Sequence, residues 1–183
     1  MAGRTERAYV QDPDPRTLAR AREGDLGAFE ELVRQYQADV WRFAFHFTRD
    51  RSLAEDVTQE AFLRAFRFLR TFRGDSKFTS WLFRIARNCA MDALRARKST
   101  VAKEPPPPVG PPDAEARLEL AAALSAVTDE HRQTFLLIEV FGLSYQEAAD
   151  VLHLRVGTVK SRMHRARQAM MSALVVEEDA GGL

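Results

Sequence analysis

The strongest concentration of side chains suited to ligand binding is a basic stretch near the C-terminus. Residues 151–176 contain no Asp or Glu, although the chain of 183 residues is nearly balanced, with 27 Lys and Arg against 26 Asp and Glu. A second acid-free run, residues 62–74, carries arginine at every third position from residue 64 onward. Such stripes are often only solvated helix faces, but they are also the footprint of a phosphate-binding surface. Two separated stripes favour an extended polyanion as the ligand.

Aromatic and basic side chains also alternate around a polar loop at residues 74–80. The rings are Phe72, Phe78, Trp81 and Phe83, and the cations are Arg73, Lys77, Arg84 and Arg87. Flat rings beside cations suit unstacked single-stranded bases, because every base offers a π-face and a phosphate. The alternative is that the rings belong to the core and the arginines are merely solvated.

The C-terminal basic stretch has the register of a helix-turn-helix. Ala149 provides the small residue at the helix crossing, His153 the turn and Val159 the core residue that follows. The turn position favours glycine because its φ is positive, and histidine adopts that conformation at some cost. A plain pair of packed helices is the alternative. If the apolar positions face inward, the outer arc consists of Thr158, Lys160, Ser161, Arg162, His164, Arg165 and Arg167.

The elements that position these residues are helices, because the apolar residues recur at steps of three and four and no strand pattern appears. The first predicted helix covers about 22 residues from Leu26, with Asp25 as N-cap, and its core stripe begins at Leu26 itself. The second predicted helix begins at a capping box, Ser52 to Glu55, and the third begins at Trp81. Two more are predicted at residues 114–126 and 129–141. A short helix then begins at a second capping box, Ser144 to Glu147, and the last predicted helix covers residues 157–174. The predicted fold is therefore all-α.

A proline-rich segment divides the chain. Residues 104–113 hold six of the eight prolines, and proline lacks the N–H that a helix interior or a central strand requires. We expect a semi-rigid linker at residues 98–114 between two helical domains, residues 17–97 and 115–175, whose relative position can change.

Composition excludes several functional classes. The single Cys89 forms no internal disulfide, and the four histidines lack ligand spacing, so we predict no metal site. No nucleophile–base pair or glycine-rich phosphate loop is present, so we predict no catalytic residue, no cofactor and no enzyme. No apolar run is long enough to span a bilayer and the N-terminus lacks a signal sequence, so we expect a cytoplasmic protein.

Four segments together resemble successive motifs of an extracytoplasmic-function (ECF) sigma factor of bacterial RNA polymerase. They are residues 54–66 (AEDVTQEAFLRAF), 78–88 (FTSWLFRIARN), 143–149 (LSYQEAA) and 156–167 (VGTVKSRMHRAR). The resemblance makes residues 17–97 sigma region 2 and residues 115–175 sigma region 4. It implies an alternative sigma factor that binds core polymerase, recognises the −35 and −10 promoter elements and directs initiation at a stress- or signal-responsive regulon.

The resemblance also implies roles for individual residues. Asp56, Gln59 and Glu60 match the motif that docks on the β′ clamp helices, and the β flap is a further expected contact on the polymerase. The −10 element is assigned to Lys77, Phe78, Thr79, Ser80, Trp81, Arg84, Arg87 and Asn88. The −35 element is assigned to Arg155, Thr158, Lys160, Ser161, Arg162, His164 and Arg165. Sigma factors of this group are commonly restrained by an anti-sigma factor, which is therefore an expected partner.

Two other classes of protein remain as alternatives at this point. An ordinary helix-turn-helix regulator with an N-terminal effector or dimerisation domain would leave the loop aromatics and the patch at Asp56, Gln59 and Glu60 without a role. An enzyme would need a converging set of catalytic groups that the sequence does not supply.

Overall fold

The computed structural model describes residues 10–97 and 127–180, with side chains described as far as residue 172. These residues form seven α-helices and no strand, which confirms the all-α prediction. The helices are α1 (Pro15–Glu23), α2 (Leu26–Thr48), α3 (Arg51–Phe68), α4 (Phe78–Ala96), α5 (Asp129–Phe135), α6 (Tyr145–Leu152) and α7 (Val156–Ala180). The predicted proline-rich linker and the predicted helix at 114–126 lie outside the described residues.

Helix α1 is an element that the periodicity did not predict. Asp14 caps it by accepting hydrogen bonds from the backbone N–H groups of Arg16 and Thr17, and Pro15 occupies its first position. Gly24 ends it with a φ of +102°, a conformation that glycine adopts without strain. These start and stop signals are visible in the sequence, but α1 is short and only Ala21 of its side chains is buried.

Two helix starts differ from the prediction. Helix α3 is capped by Asp50, whose carboxylate accepts from the Leu53 N–H at 2.8 Å, so the predicted capping box at Ser52 is wrong. The same carboxylate forms an ion pair with Arg97, beyond the far end of α4, which the local sequence could not reveal. Helix α4 begins at Phe78, three residues before the predicted start at Trp81.

The predicted helix over residues 129–141 is continuous but changes geometry. After α5, residues Leu136–Val140 form a π-helical segment, in which the Phe141 N–H bonds to the Leu136 carbonyl at 2.9 Å. A π segment inserts one extra residue per turn and shifts the side chains that follow it. Gly142 then reverses the chain with a φ of +75°. The π segment and this turn direct the Phe141 side chain toward the N-terminal helices.

The two groups of helices, α1–α4 and α5–α7, meet through an aromatic contact. The Phe141 ring lies 4.8 Å from Phe83 of α4 and 6.0 Å from Phe43 of α2, measured between ring centroids. Phe43 and Phe83 are themselves 5.1 Å apart, and all three side chains are almost fully buried. Helix α6 packs against α4 beside this contact. The two predicted domains are therefore in direct contact in this conformation.

The predicted apolar stripes are mostly core, with two exceptions. Leu32, Tyr36 and Phe43 of α2 are buried as expected, whereas Leu26, at the start of the stripe, is exposed. Phe66 of α3 is also partly exposed and contacts Phe29 edge-on at 5.0 Å. Both lie on the outer rim, where no described element covers them. No helix among residues 10–97 and 127–180 is both long and apolar enough to cross a membrane.

A buried histidine lies between the two groups of helices. His46 of α2 is 1% exposed, and neither ring nitrogen has a hydrogen-bond partner among the described residues. Burial lowers the pKa of His46 to about 3, with smaller contributions from the positive charges of Arg132, Arg49 and Arg42. The imidazole is therefore neutral in the folded protein throughout the physiological range.

This burial predicts that the protein loses stability as the pH falls. Below about 6.5 the unfolded chain protonates His46 while the folded chain does not, so the free energy of unfolding decreases until the pH approaches the folded pKa. Between pH 7 and pH 5 the loss attributable to this residue is about 2 kcal/mol. Urea denaturation at both pH values measures it.

The His46→Leu variant should lose less stability over the same interval, because leucine fills a similar volume and carries no titrating group. His164→Leu, at an exposed position on α7, is the matched control and should retain the wild-type dependence. An unchanged pH dependence in His46→Leu would contradict the assignment.

Candidate nucleic-acid interface

The predicted −10 residues divide into a buried set and an accessible set. Phe78, Thr79, Ser80 and Trp81 form the first turn of α4, and all four side chains are buried. The Trp81 ring packs against Phe72 at 5.2 Å and Phe78 at 5.7 Å, so it supports the loop from beneath. The accessible set comprises Lys77, Arg84, Arg87 and Asn88, which are exposed or partly exposed along α4 and its N-terminus.

The accessible −10 set faces α6. Lys77 Nζ lies 3.3 Å from Glu147 Oε1, and Asn88 Oδ1 lies 3.2 Å from His153 Nε2. Partial burial lowers the pKa of His153, and the positive charges of Arg87 and Arg84 contribute further, which places both guanidinium groups near the imidazole. All four accessible residues therefore lie against or near the C-terminal helices in this conformation.

The helix-turn-helix has the predicted register. His153 adopts φ +54° at the turn, and the Leu154 N–H closes the turn on the Ala149 carbonyl at 2.9 Å. Ser144 and Glu147 form the predicted capping box at the start of α6. Ala149 and Val159 are buried where the helices cross. The predicted positive φ at histidine is thus confirmed.

Of the predicted −35 residues, Arg155 lies in the turn before α7 and the others lie on α7 outside its buried stripe, which consists of Val159, Met163 and Ala166. Arg155, Lys160, Ser161, His164 and Arg165 are exposed, and Thr158 and Arg162 are partly buried. The exposed residues therefore form one face that begins at the helix N-terminus, as a recognition helix requires.

Two arginines of α7 are engaged by acids, which the sequence did not predict. Arg162 Nη2 lies 2.6 Å from Glu130 Oε2 of α5, and Arg167 Nη2 lies 2.6 Å from Glu139 Oε1 of the π segment. The pairing raises the pKa of Arg167. These contacts tie α7 to α5 and to the π segment that follows α5. Arg155, Lys160 and Arg165 remain the exposed cations among the predicted −35 residues.

The predicted polymerase-docking residues lie on α3. Asp56 and Gln59 are exposed, whereas Glu60 Oε1 accepts a hydrogen bond from Arg64 Nε at 2.6 Å. Arg64 also bonds to Asp92 of α4 at 3.1 Å, so Glu60 takes part in a charge network that joins two helices. Leu63, one turn beyond Glu60, is 54% exposed and adds an apolar residue to the patch that the sequence analysis missed.

A second missed residue is Asp12, which precedes α1. Its Oδ1 accepts from the Thr79 backbone N–H at 3.0 Å and from Thr79 Oγ1 at 2.8 Å. Thr79 is 67 residues away along the chain, so no sequence spacing indicated this contact. The Thr79 hydroxyl, predicted as a DNA contact, is occupied by Asp12 instead.

Two family patterns match successive parts of this chain. The pattern described as "Sigma-70 region 2" matches residues 32–100, and that described as "Sigma-70, region 4" matches residues 117–170. The RNA polymerase sigma-H factor of Pseudomonas aeruginosa is 37% identical over 90% of this chain and 95% of its own length. The ECF RNA polymerase sigma-E factor of Escherichia coli is 34% identical over 84% of this chain and 90% of its own length.

A solved structure is also similar to this chain. CnrH, determined in complex with the cytosolic domain of CnrY, has a TM-score of 0.65 and 31% identity, and the match covers 87% of this chain and 96% of CnrH.

Proposed function

This chain belongs to the sigma-70 family, in its extracytoplasmic-function group, and we propose how its surfaces divide the work of a sigma factor. It is an alternative sigma factor that recognises promoters and directs transcription initiation. The finer assignments concern which residues contact DNA, which contact the polymerase and which conformation allows both. We propose that it acts in the cytoplasm, where the polymerase and the promoter are.

The exposed cations of α7 carry the assignment of the −35 element. Lys160 and Arg165 are exposed on α7 and Arg155 is exposed in the turn before it, while Arg162 is held by Glu130. In a major groove, residues near the N-terminus and along the outer face of such a helix reach base edges. Arg165 therefore reads a base, Arg155 in the turn contacts backbone phosphate, and Arg162 chiefly fixes the angle of the helix.

The loop and outer face of α4 carry the assignment of the −10 element. Lys77, Arg84, Arg87 and Asn88 provide cations and an amide along one side of the helix. The buried aromatic residues beneath them hold the loop in a fixed shape, which limits the entropy lost on binding a flexible strand. The role of Phe78, Thr79, Ser80 and Trp81 is then support of this surface rather than direct contact.

The exposed face of α3 carries the docking assignment. Asp56 and Gln59, with Leu63 beside them, form a mixed polar and apolar patch suited to the β′ clamp helices. We place the β flap against the C-terminal helices. A restraining anti-sigma factor is a further proposed partner, and the similar protein CnrH has been solved in complex with another protein, the cytosolic domain of CnrY.

These DNA-binding roles compete with contacts that the two groups of helices make in this conformation. Lys77 is paired with Glu147 and Asn88 with His153, so a −10 strand that binds both residues displaces these side-chain contacts. The contact between the two groups of helices therefore competes with promoter DNA.

The −35 assignment predicts different effects for two arginines. In holoenzyme reconstituted with core polymerase, Arg165→Ala should cost about 1 to 3 kcal/mol on the preferred −35 sequence and reduce discrimination at that position. Arg155→Ala should weaken binding to all sequences alike and lower the salt dependence by about one phosphate contact. Competition binding on cognate and scrambled −35 DNA measures both. Equal losses on both DNAs for both variants would show that α7 is a nonspecific basic face.

The docking assignment predicts that reversing one charge on α3 weakens assembly. Asp56→Lys should reduce affinity for core polymerase by about tenfold, a change of about 1.4 kcal/mol. Its melting temperature should stay unchanged, because an exposed charge contributes little to stability. Glu55→Lys is the control: it makes the same charge change one residue away and about 100° round the helix. Equal losses of core affinity in the two variants would attribute the effect to net charge.

The competition between α6 and DNA predicts that Glu147→Gln increases binding of the free protein to a single-stranded −10 oligonucleotide. Glutamine retains the capping box with Ser144 but removes the charge that pairs with Lys77. The increase should be at most about fivefold, because partly exposed ion pairs contribute up to about 1 kcal/mol. Fluorescence anisotropy measures it.

The control is Asp150→Asn, which removes a charge from the same helix at a residue bonded to Gln146 rather than to Lys77. If both variants bind the oligonucleotide equally well, the gain comes from general electrostatics and not from release of Lys77.

A further inference from the structure

The loop surface of α4 begins at a helix N-terminus that its own sequence does not cap. The N-cap residue is Lys77, whose side chain makes no capping hydrogen bond. The first N–H groups of a helix lack partners within the helix, and Ser, Thr, Asp or Asn usually supplies one at the N-cap. Lysine has no acceptor with which to do so.

Asp12 supplies the missing acceptor from a distant part of the chain. Its Oδ1 accepts from the Thr79 N–H at 3.0 Å, and Thr79 is the second residue of the helix. That N–H is one of the two that an N-cap side chain normally serves. The same oxygen accepts from Thr79 Oγ1 at 2.8 Å, which fixes the threonine rotamer. The carboxylate also lies at the positive end of the helix dipole.

Asp12 is held in place by its neighbours, residues 10–13, which we call the N-terminal strap. The Gln11 carbonyl accepts from the Tyr36 hydroxyl at 2.7 Å, Pro13 is buried, and Val10 packs against the core. The Tyr36 ring lies 5.5 Å from Phe78, the first residue of α4. The strap is therefore anchored to the aromatic residues that support the loop.

This arrangement assigns helix capping to Asp12 and the attraction of a phosphate to Lys77. An acidic residue at position 77 would cap α4 but would repel a phosphate, whereas Lys77 attracts a phosphate but cannot cap. With the cap supplied by Asp12, the helix start is fixed and the cation is retained.

We propose that Asp12 is a positioning residue for the −10 surface, which holds the first turn of α4 and with it Lys77 in the geometry that captures the single strand. The inference rests on the −10 role proposed above for the loop and α4. Asp12 does not itself contact DNA.

The test measures affinity of the reconstituted holoenzyme for a single-stranded −10 oligonucleotide. Asp12→Ala should weaken it by about three- to tenfold, the range expected from losing one helix cap. Asp12→Asn should restore most of the affinity, because asparagine caps as well as aspartate. Hydrogen exchange at the Thr79 amide should be faster in Asp12→Ala and close to wild type in Asp12→Asn. Binding to an isolated −35 duplex should be unchanged in both.

Asp14→Ala is the matched control, since Asp14 lies two residues away and caps α1 through the N–H groups of Arg16 and Thr17. It should lower stability to a similar extent without changing −10 affinity or exchange at Thr79. Equal losses of −10 affinity in Asp12→Ala and Asp14→Ala would overturn the positioning role, because the strap would then act only through overall stability.

Lys77→Ala separates this inference from the proposed function on which it rests. If Lys77→Ala lowers −10 affinity and Asp12→Ala does not, the positioning role alone is overturned. If Lys77→Ala binds the strand normally, the −10 role of the loop fails, and the positioning role fails with it.

Discussion

The arrangement of the described helices depends on the burial of Phe141 between α2 and α4. Its ring closes an aromatic cluster with Phe43 and Phe83, and all three side chains are 1% exposed. Burial of aromatic surface is among the largest contributions that a single residue makes to stability. The π segment before Phe141 and the positive φ at Gly142 direct the ring into this position. Helix α6 packs on α4 beside this cluster.

The side of α4 that is proposed to bind the −10 strand also packs against α6. In this conformation α6 lies against the side of α4 that carries the accessible residues and partly covers it, and Lys77 is paired with the acid that also completes the capping box of α6. The polar contacts are individually weak, because the side chains that make them are partly exposed. The aromatic contact through Phe141 is almost fully buried, while the polar contacts pair particular residues across the two groups of helices. The surface of α4 proposed to bind the −10 element is therefore partly occupied by α6 in this conformation.

Some cations of the protein are paired with acids on other helices, and others are exposed and proposed to contact DNA. Arg162 and Arg167 are tied to Glu130 and Glu139, and Arg64 links Glu60 to Asp92. Such pairs orient helices more than they stabilise them, since each is at least partly exposed. The remaining exposed cations of α7 form a face of defined orientation. The number of basic residues in the sequence therefore overstates how many are available to DNA.

The sequence by itself determined what depends on neighbours within about four residues. The helical period, the cap at Asp25, the capping box at Ser144 and Glu147 and the left-handed turn at His153 are all of this kind, because each is a local hydrogen bond or a local φ preference. The motifs that identified the family are likewise contiguous in the chain. These signals were sufficient to predict the fold class and to propose candidate site residues.

Only the tertiary structure decided which of those residues are accessible and what holds them. Thr79 and Ser80 are buried, Leu26 is exposed, Arg162 is paired with Glu130, and α4 is capped by Asp12 from 67 residues away. None of these has a signature in local spacing, because each depends on how separate helices pack and which of their polar groups then lie within hydrogen-bond distance.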